Sequence, residues 1–266
     1  MSRTRDVVVL ADPDLMAAAA AARLITALVD AQAARGHAHL VLTGGTGGGA
    51  IQEAVAASPA RAAVDWSQVD LWWGDERFLP AGDPDRNETQ ARGFLLDALP
   101  LDPARVHPMP ASDGPFGDDV DAAAAGYAAE LVAAAERGAG SSSRPLPGAS
   151  SGPLPGSSSA LPVFDVLLLG VGPDGHVASL FPGHPGFAVR EGTAIAVRES
   201  PKPPPTRISL TLPALQNARQ TWLIAAGDGK ADVVARAIGG EPLPSGSVHG
   251  TERTLWLLDR AAAGKL

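Results

Sequence analysis

Short apolar runs alternate with longer segments of mixed hydrophobic and polar residues along most of this chain. Runs of this length predict β-strands, because each is too short for a helix and is bounded by glycine, proline or polar residues. The predicted strands are Val7–Leu10, His39–Leu42, Val69–Trp73, Phe164–Leu169, Thr193–Val197, Arg207–Leu210, Thr221–Ala225 and Thr254–Leu258. Strands that alternate with helices at this spacing are typical of βα units, so the sequence predicts an α/β fold with a mostly parallel sheet flanked by helices.

Capping residues locate several of the helices between these strands. Asp12 and Pro13 suit the N-cap and the first position of an alanine-rich helix that Gly36 can close. Asn87 can cap another helix, in RNETQARGFLLDAL. Further helices are expected at about Ala50–Ala57 and Asp119–Arg137 and within Gly227–Ile238.

The chain is long enough for one large α/β domain. It has 266 residues, of which 45% are hydrophobic, so it can bury a substantial core. The segment Gly138–Ala160 differs in kind, because it consists almost entirely of Gly, Ser and Pro and has no periodicity. Such a segment cannot bury enough apolar area to offset its ordering entropy. We therefore expect a single domain over residues 1–266 with a flexible surface insertion at 138–160.

Composition argues against several classes of function. The formal net charge of −8 disfavours a nucleic-acid partner, because such domains usually carry a basic stripe. The absence of cysteine excludes disulfides, thiolate catalysis and sulfur-ligated metals. No apolar run approaches the ~20 residues of a membrane helix, and MSRTRDVVVL lacks the apolar core of a signal peptide. We therefore predict a cytoplasmic protein without a membrane or nucleic-acid partner; the oligomeric state stays open, a monomer included.

The glycine-rich segment TGGTGGG, Thr43–Gly49, lies between a predicted strand and a predicted helix. Amides exposed by glycines, together with the positive end of a helix dipole, can bind a phosphate group. A plain tight turn is the alternative interpretation. The dinucleotide-binding fingerprint does not fit, because no Asp or Glu ends a following strand ~20 residues further on. We favour phosphate binding.

A second polar loop, WWGDERFLP at Trp72–Pro80, follows the third predicted strand. Arg77 can clamp a phosphate or carboxylate in a bidentate manner, and Asp75 can hold a sugar hydroxyl or orient a base. A solvated loop with a local ion pair explains the charges equally well. It does not explain the flanking aromatic residues, so both interpretations stay open.

The segment FDVLLLGVGPDGHVASLFPGHP, Phe164–Pro185, carries the strongest chemical signal. Its apolar strand leads into a glycine-rich loop with Asp174 and His176, and ligands of open parallel sheets lie at the carboxyl ends of the strands. A neutral imidazole is a natural general base, and a nearby carboxylate can orient it. A structural histidine is the alternative. Beyond this pair no His, Asp or Glu has the spacing of metal ligands, so no metal site is predicted.

Two cations complete the candidate set. Arg207 begins the strand in TRISL, and Lys230 lies at a predicted helix start in GDGKADVVARAI. Each can be an ordinary surface cation. A lysine in the first turn of a helix is unfavourable with respect to the dipole unless an anion offsets it, so Lys230 is the stronger candidate.

Together these segments resemble the 6-phosphogluconolactonase family. The resemblance rests on LTGGTGG, on WWGDERFLP followed by Asp85 and Asn87, on FDVLLLGVGPDGHVASLFPGHP and on TRISLTLPALQNARQTWLIAAGDGKADVV. It implies a Rossmann-like fold shared with sugar-phosphate isomerases and deaminases. It also implies hydrolysis of a sugar-phosphate lactone, 6-phospho-D-glucono-1,5-lactone, to 6-phosphogluconate in the oxidative pentose phosphate pathway, without a metal or organic cofactor.

The resemblance also implies roles for individual residues. His176 would take a proton from the attacking water, Asp174 would orient it, and loop amides near Gly172–Gly175 would stabilise the oxyanion. The substrate and its phosphate would be bound by Gly44, Gly45, Thr46, Gly47, Asp75, Arg77, Asn87, Arg207 and Lys230. The first loop departs from the family, which often has Gly-Gly-Ser-Thr-Pro where this chain has Gly-Gly-Thr-Gly-Gly, so its phosphate donors are less well defined.

Two other functions suit the same architecture. A hexosamine-phosphate deaminase or isomerase needs an additional acid or base near the histidine, and residues 175–190 contain no carboxylate. A sugar-phosphate-binding effector domain of a transcription regulator usually follows a DNA-binding module, whereas this chain begins its first strand by Val7 and is acidic. Both are less favoured than the lactonase.

Overall fold

The computed structural model describes residues 4–141 and 161–266. Its strands are β1 (Thr4–Leu10), β2 (Ala38–Leu42), β3 (Val69–Trp73), β4 (Asp75–Arg77), β5 (Val166–Gly170), β6 (Ala194–Val197), β7 (Arg207–Leu210), β8 (Gln220–Ala225) and β9 (Arg253–Asp259). Its helices are α1 (Pro13–Arg35), α2 (Gly45–Ala57), α3 (Asn87–Phe94), α4 (Val120–Ser141), α5 (Pro185–Ala188), α6 (Leu212–Leu215), α7 (Ala231–Ile238) and α8 (Pro244–Ser247). Short 3-10 turns span Pro59–Ala63, Trp66–Gln68, Leu96–Ala98, Pro103–Arg105 and Asp228–Lys230.

The main sheet has six parallel strands in the order β1-β9-β8-β5-β2-β3. Its central strands β2, β5 and β8 are neighbours although they lie far apart in the sequence. The loops that follow them are the TGGTGGG segment, the Asp174–His176 loop and the loop before Lys230. Because parallel strands end at the same edge, these three loops meet above the centre of the sheet. The predicted α/β fold with a mostly parallel sheet is confirmed.

The central strands are predominantly apolar because both faces of the main sheet are covered. Every residue of β2 and β3 is buried, and the two Trp side chains of β3 are almost completely enclosed. Continuous apolar runs of this kind are typical of parallel strands between two helical layers. This packed centre gives the loops at the carboxyl edge a rigid base.

A smaller antiparallel sheet joins β4, β7 and β6. Asp75 lies opposite Ser209, and Arg77 lies opposite Arg207. β4 is not predicted from the sequence, since a strand of three residues leaves no periodic signal. This sheet brings the loop WWGDERFLP against the strand in TRISL.

Helix boundaries confirm part of the prediction and correct the rest. Asp12 Oδ1 accepts a hydrogen bond from Leu15 N at 2.8 Å, Pro13 is the first residue of α1, and Gly36 ends it with a φ of 80°. Asn87 is not a cap: it is the first residue of α3, and its Nδ2 donates to the carbonyl of Asp75 at 2.8 Å. The helix after β2 begins at Gly45, five residues earlier than expected.

The predicted insertion at 138–160 is only partly described. Residues 138–141 continue the backbone of α4, so the helix extends four residues beyond the predicted end at Arg137. The remaining residues, 142–160, lie outside the described residues, and the single-domain interpretation with a flexible insertion stays a prediction. In the part of the chain that the structure describes, no helix is long and apolar enough to span a membrane.

Candidate active site

A cavity of about 530 Å³ opens at the carboxyl edge of the main sheet. It is bordered by the loops after β2, β5 and β8 and by the smaller antiparallel sheet. Of the eleven residues predicted for the site, ten line the cavity: Gly44, Gly45, Thr46, Gly47, Asp75, Arg77, Asn87, His176, Arg207 and Lys230. The eleventh, Asp174, lies behind His176 and contacts its ring.

The TGGTGGG segment is the beginning of α2 and not a plain turn. Gly44 is the N-cap without a side-chain capping bond, and Gly45 has a φ of 76°, a conformation that favours glycine. The first amides of a helix lack intrahelical partners, and the dipole adds positive potential there. A Cβ on Gly44 would lie 1.9 Å from Asn87 Oδ1, so only glycine lets the Asn87 amide pack against this turn. The cavity therefore has an uncapped helix start at its wall.

The Asp174–His176 pair forms within the loop that follows β5. His176 Nδ1 lies 2.5 Å from Asp174 Oδ1, and a Cβ on Gly172 would lie 2.0 Å from the same Nδ1. The imidazole also packs against the Phe181 ring, with centroids 4.6 Å apart. Because an ionised carboxylate only accepts, Nδ1 carries the proton and Nε2 keeps its lone pair. The geometry therefore orients Nε2 as a proton acceptor.

Burial and charge shift the pKa of both partners. Burial lowers the pKa of His176 below 6.5, and the Lys202 charge adds to this, although the hydrogen bond and charge of Asp174 oppose it. Burial alone would raise the pKa of Asp174, but its hydrogen bond with His176 and the charges of His176 and Lys202 outweigh this and lower it. At neutral pH the pair is therefore a carboxylate and a neutral imidazole, the protonation state that a general base needs.

The loop amides that were expected to stabilise an oxyanion already have partners. Gly172 N donates to the carbonyl of His176 at 2.9 Å, and Gly175 N donates to the carbonyl of Gly172 at 3.0 Å. Pro173 has no N–H. The tight turn therefore uses the amides of Gly172 and Gly175, which argues against these two as oxyanion donors, and the expectation for the loop stays a prediction.

Asp75 and Asn87 are buried polar residues beside the cavity. Asp75 Oδ2 accepts from the Ser179 hydroxyl at 2.6 Å and lies 3.9 Å from Arg207 Nη1. Asn87 Oδ1 is buried without a hydrogen-bond partner among the described residues. Because a buried unpaired acceptor is unfavourable, Asn87 Oδ1 is suited to accept from a ligand hydroxyl.

The three predicted cations differ in how far the protein already uses them. Arg207 Nε donates to the carbonyl of Pro204, and Nη2 donates to those of Lys202 and Pro203, which leaves Nη1 as its freer nitrogen. Arg77 Nη1 donates to the carbonyl of Asp85 at 2.5 Å. Lys230, which ends a 3-10 turn just before α7, donates from Nζ to the carbonyl of Val171 at 2.8 Å. A phosphate role for Arg207 is the most restricted of the three.

Residues 11–256 match the family model described as glucosamine-6-phosphate isomerases/6-phosphogluconolactonase. This chain belongs to that family. The relatives include the 6-phosphogluconolactonase of Streptomyces coelicolor, 58% identical over 100% of this chain and 96% of that protein. The 6-phosphogluconolactonase of Mycobacterium tuberculosis is 46% identical over 96% of both chains. The predicted family is confirmed, and so is the prediction that the chain is an enzyme.

Solved structures of the glucosamine-6-phosphate isomerase/6-phosphogluconolactonase family share this fold. The 6-phosphogluconolactonase of Trypanosoma brucei has a TM-score of 0.78 at 24% identity and is matched over 100% of both chains. A monomeric glucosamine-6-phosphate deaminase has a TM-score of 0.74 at 17% identity, covering 98% of this chain and 100% of that one. At these identities the likeness concerns the fold, which is common to lactonases and deaminases.

Three residues that line the cavity or bond to its lining residues were not predicted from the sequence. Lys202 lines the cavity and its Nζ lies 3.9 Å from Asp174 Oδ1. Ser179 joins Asp75 to Arg207, and Glu76 accepts from the amides of Asn87 and Glu88 at the start of α3. The sequence held one usable signal: Lys202 lies in SPKPPPTR, immediately before the predicted cation Arg207 and its strand.

The described part of the chain offers no group of three or more His, Cys, Asp or Glu side chains that could hold a metal ion. The absence of a metal or organic cofactor from the reaction stays a prediction.

Proposed function

We propose that this chain hydrolyses 6-phospho-D-glucono-1,5-lactone to 6-phospho-D-gluconate, a step of the oxidative pentose phosphate pathway. The observation that carries the proposal is one cavity that combines an uncapped helix start, suited to phosphate, with a carboxylate–imidazole pair, suited to general-base catalysis. Relatives at 58% and 46% identity that carry the name 6-phosphogluconolactonase support it.

The phosphate is held at the beginning of α2. The amides of Gly45–Gly47 and the exposed hydroxyl of Thr46 supply neutral donors at the positive end of the helix dipole. Lys230, Arg77 and Arg207 Nη1 supply positive charge from the other walls of the cavity. These charges are needed locally because the chain as a whole is acidic, with a formal net charge of −8.

His176 performs the chemical step as a general base. Nε2 removes a proton from water while the water oxygen forms a bond to the lactone carbonyl carbon, and the carbonyl electron pair moves to its oxygen. When this intermediate collapses, the bond from the carbonyl carbon to the ring oxygen breaks, and Nε2 returns the proton to that oxygen. Asp174 keeps the proton of the imidazole on Nδ1 throughout.

The deaminase alternative lacks its second acid or base at this site. Residues 175–190 contain no carboxylate, and the Asp75 carboxylate of the cavity accepts from Ser179 beside Arg207. Hydrolysis of an activated ester needs only the His176 base and a polarised carbonyl. The site therefore favours the lactonase.

The decisive assay compares two lactones that differ only in the phosphate. We expect kcat/KM for the phosphorylated lactone to exceed that for D-glucono-1,5-lactone by about 10²-fold or more, because each charge-assisted phosphate contact contributes ~1.5–3 kcal/mol. Rates are corrected for spontaneous hydrolysis. Equal values for both lactones would contradict the phosphate site, and ammonia release from glucosamine 6-phosphate would favour the deaminase.

The pH dependence of kcat/KM reports the protonation of His176. Since burial holds the pKa of His176 below 6.5, activity is expected to be fully developed at pH 7 and to fall only as the pH drops through that lower pKa. Asp174→Asn is expected to lower the rate and move this acid limb to still lower pH, because Asp174 raises the pKa of His176. An acid limb centred above pH 7 in the unmodified enzyme would contradict the assignment.

A further inference from the structure

The proposed reaction places negative charge on the lactone carbonyl oxygen, and the turn that carries His176 has few backbone donors left to stabilise it. The amides of Gly172 and Gly175 are bonded within the turn, and Pro173 has none. In ester hydrolysis, stabilisation of this oxygen is usually the largest single contribution to catalysis. Another donor must therefore reach the carbonyl oxygen, and this inference rests on the lactonase function proposed above.

Lys202 lies on the segment between β6 and β7, beside the catalytic pair. Its Nζ is 3.9 Å from Asp174 Oδ1, which in turn is 2.5 Å from His176 Nδ1. The side chain lines the cavity and is 38% exposed, so a ligand can reach it. A distance of 3.9 Å is too long for a hydrogen bond, which leaves the ammonium donors available.

The other cations of the cavity are already engaged by backbone carbonyls. Lys230 donates to Val171, Arg77 donates to Asp85, and Arg207 donates to the carbonyls of residues 202–204. Lys202 differs, because its ammonium makes no hydrogen bond to the residues at 4–141 or 161–266. The same ammonium lines the cavity that His176 also lines, so a lactone bound there can contact both groups.

The backbone that carries Lys202 is fixed from two sides. Arg207 Nη2 donates to the carbonyls of Lys202 and Pro203 at 3.1 and 3.0 Å. The hydroxyl of Ser200 donates to the carbonyl of Lys202 at 2.9 Å and accepts from its amide at 3.2 Å. A fixed backbone limits the volume that the ammonium explores, as preorganised charge stabilisation requires.

We propose that Lys202 is a catalytic residue, whose ammonium stabilises the negative charge that forms on the lactone carbonyl oxygen as water adds to the carbonyl carbon. Lys202 exchanges no proton in this step: the water proton goes to His176 Nε2, and the carbonyl electron pair goes to the oxygen that faces the ammonium. When the ring bond breaks, this oxygen becomes the carbonyl oxygen of a carboxylic acid, which then loses its proton to solvent to give the product carboxylate. The positive charge also favours the neutral imidazole, since it lowers the pKa of His176.

The test replaces Lys202 by methionine, which keeps the length of the side chain and removes the charge. We expect Lys202→Met to lower kcat by about 30-fold on the phosphorylated lactone and kcat/KM by a similar factor on D-glucono-1,5-lactone, because the carbonyl is common to both. The acid limb of the pH profile should also move to higher pH. Lys202→Arg keeps the charge and should recover part of the rate. Lys265→Met serves as the control, because it makes the same change at a lysine that pairs with Asp232.

The comparison of the two lactones separates the possible failures. A loss confined to the phosphorylated lactone would make Lys202 a phosphate ligand and overturn the proposal. Unchanged rates on both lactones, or a loss that Lys202→Arg does not reduce, would overturn it as well. If the unmodified enzyme failed to accelerate hydrolysis of the phosphorylated lactone, the proposed function itself would fail, independently of Lys202.

Discussion

Replacement of His176 by alanine is expected to lower kcat for lactone hydrolysis by about 10³-fold, because a positioned general base contributes roughly 10²–10⁴-fold. KM should stay within a factor of about three, since the phosphate contacts lie at α2 and are made equally in the ground state and the transition state. Steady-state kinetics with correction for spontaneous hydrolysis measure both constants. The residual activity would report the contribution of binding and charge stabilisation alone.

A matched histidine substitution makes this loss interpretable. His37 is half-buried and does not line the cavity, and its Nδ1 contacts the carbonyl of Arg35 at the end of α1, so His37→Ala should leave kcat unchanged. Thermal denaturation of both variants checks that His176→Ala still folds, because removal of the ring also removes its contact with Phe181. A folded His176→Ala enzyme with undiminished kcat would refute the general-base assignment.

The main sheet and the edge that carries the candidate site could be predicted because they rest on strong local patterns. Apolar runs such as Val69–Trp73 are read directly as buried parallel strands, and this strand has the predicted bounds. The carboxyl-edge rule then places His176, Thr46 and Lys230 together without any knowledge of strand order, because all three follow parallel strands. The cavity confirms that these residues share one space, although their individual roles stay predictions.

The predictions of the start of α2 and of the Asn87 cap were wrong because both depend on contacts that are distant in sequence. The helix after β2 begins at Gly45 because its glycine-rich first turns pack against residues such as Asn87 and Phe94, although glycine disfavours helix by itself. Asn87 prefers the carbonyl of Asp75 to a capping position, since β4 and α3 lie against each other.

Whether a hydrogen-bond donor already has a partner likewise could not be predicted from the sequence. The composition of Gly172–Gly175 predicts a loop with exposed amides, but the amides of Gly172 and Gly175 form hydrogen bonds within the turn that precedes His176. Lys202 shows the converse: the sequence marks it only by its position in SPKPPPTR before Arg207, and its ammonium lies 3.9 Å from Asp174 Oδ1 through a contact that is distant in sequence.

Gly172 allows the Asp174–His176 pair to form because it lacks a Cβ, and not because its backbone conformation requires glycine. A Cβ at this position would lie 2.0 Å from His176 Nδ1, 2.1 Å from Cε1 and 2.7 Å from Asp174 Oδ1, whereas its backbone is outside the left-handed region, so alanine is allowed conformationally. The imidazole must therefore move, and the hydrogen bond between His176 and Asp174 must break. We therefore expect the fold to be unchanged and the His176 imidazole to be displaced.

Gly172→Ala is expected to lower kcat by about 10³-fold, close to the effect of His176→Ala, because both remove the oriented base. Overpacking should cost about 1–3 kcal/mol of unfolding free energy, which denaturant titration measures.

Gly93→Ala in α3 is the matched control: a Cβ there meets nothing within 4 Å, so kcat should be unchanged and stability should rise by about 0.5–1 kcal/mol. Both substitutions, Gly172→Ala and His176→Ala, act through the same His176 base, so their effects on kcat should not add. The double variant Gly172→Ala/His176→Ala should therefore have the kcat of His176→Ala. Additive losses in the double variant would mean that Gly172 serves catalysis through something other than the Asp174–His176 pair.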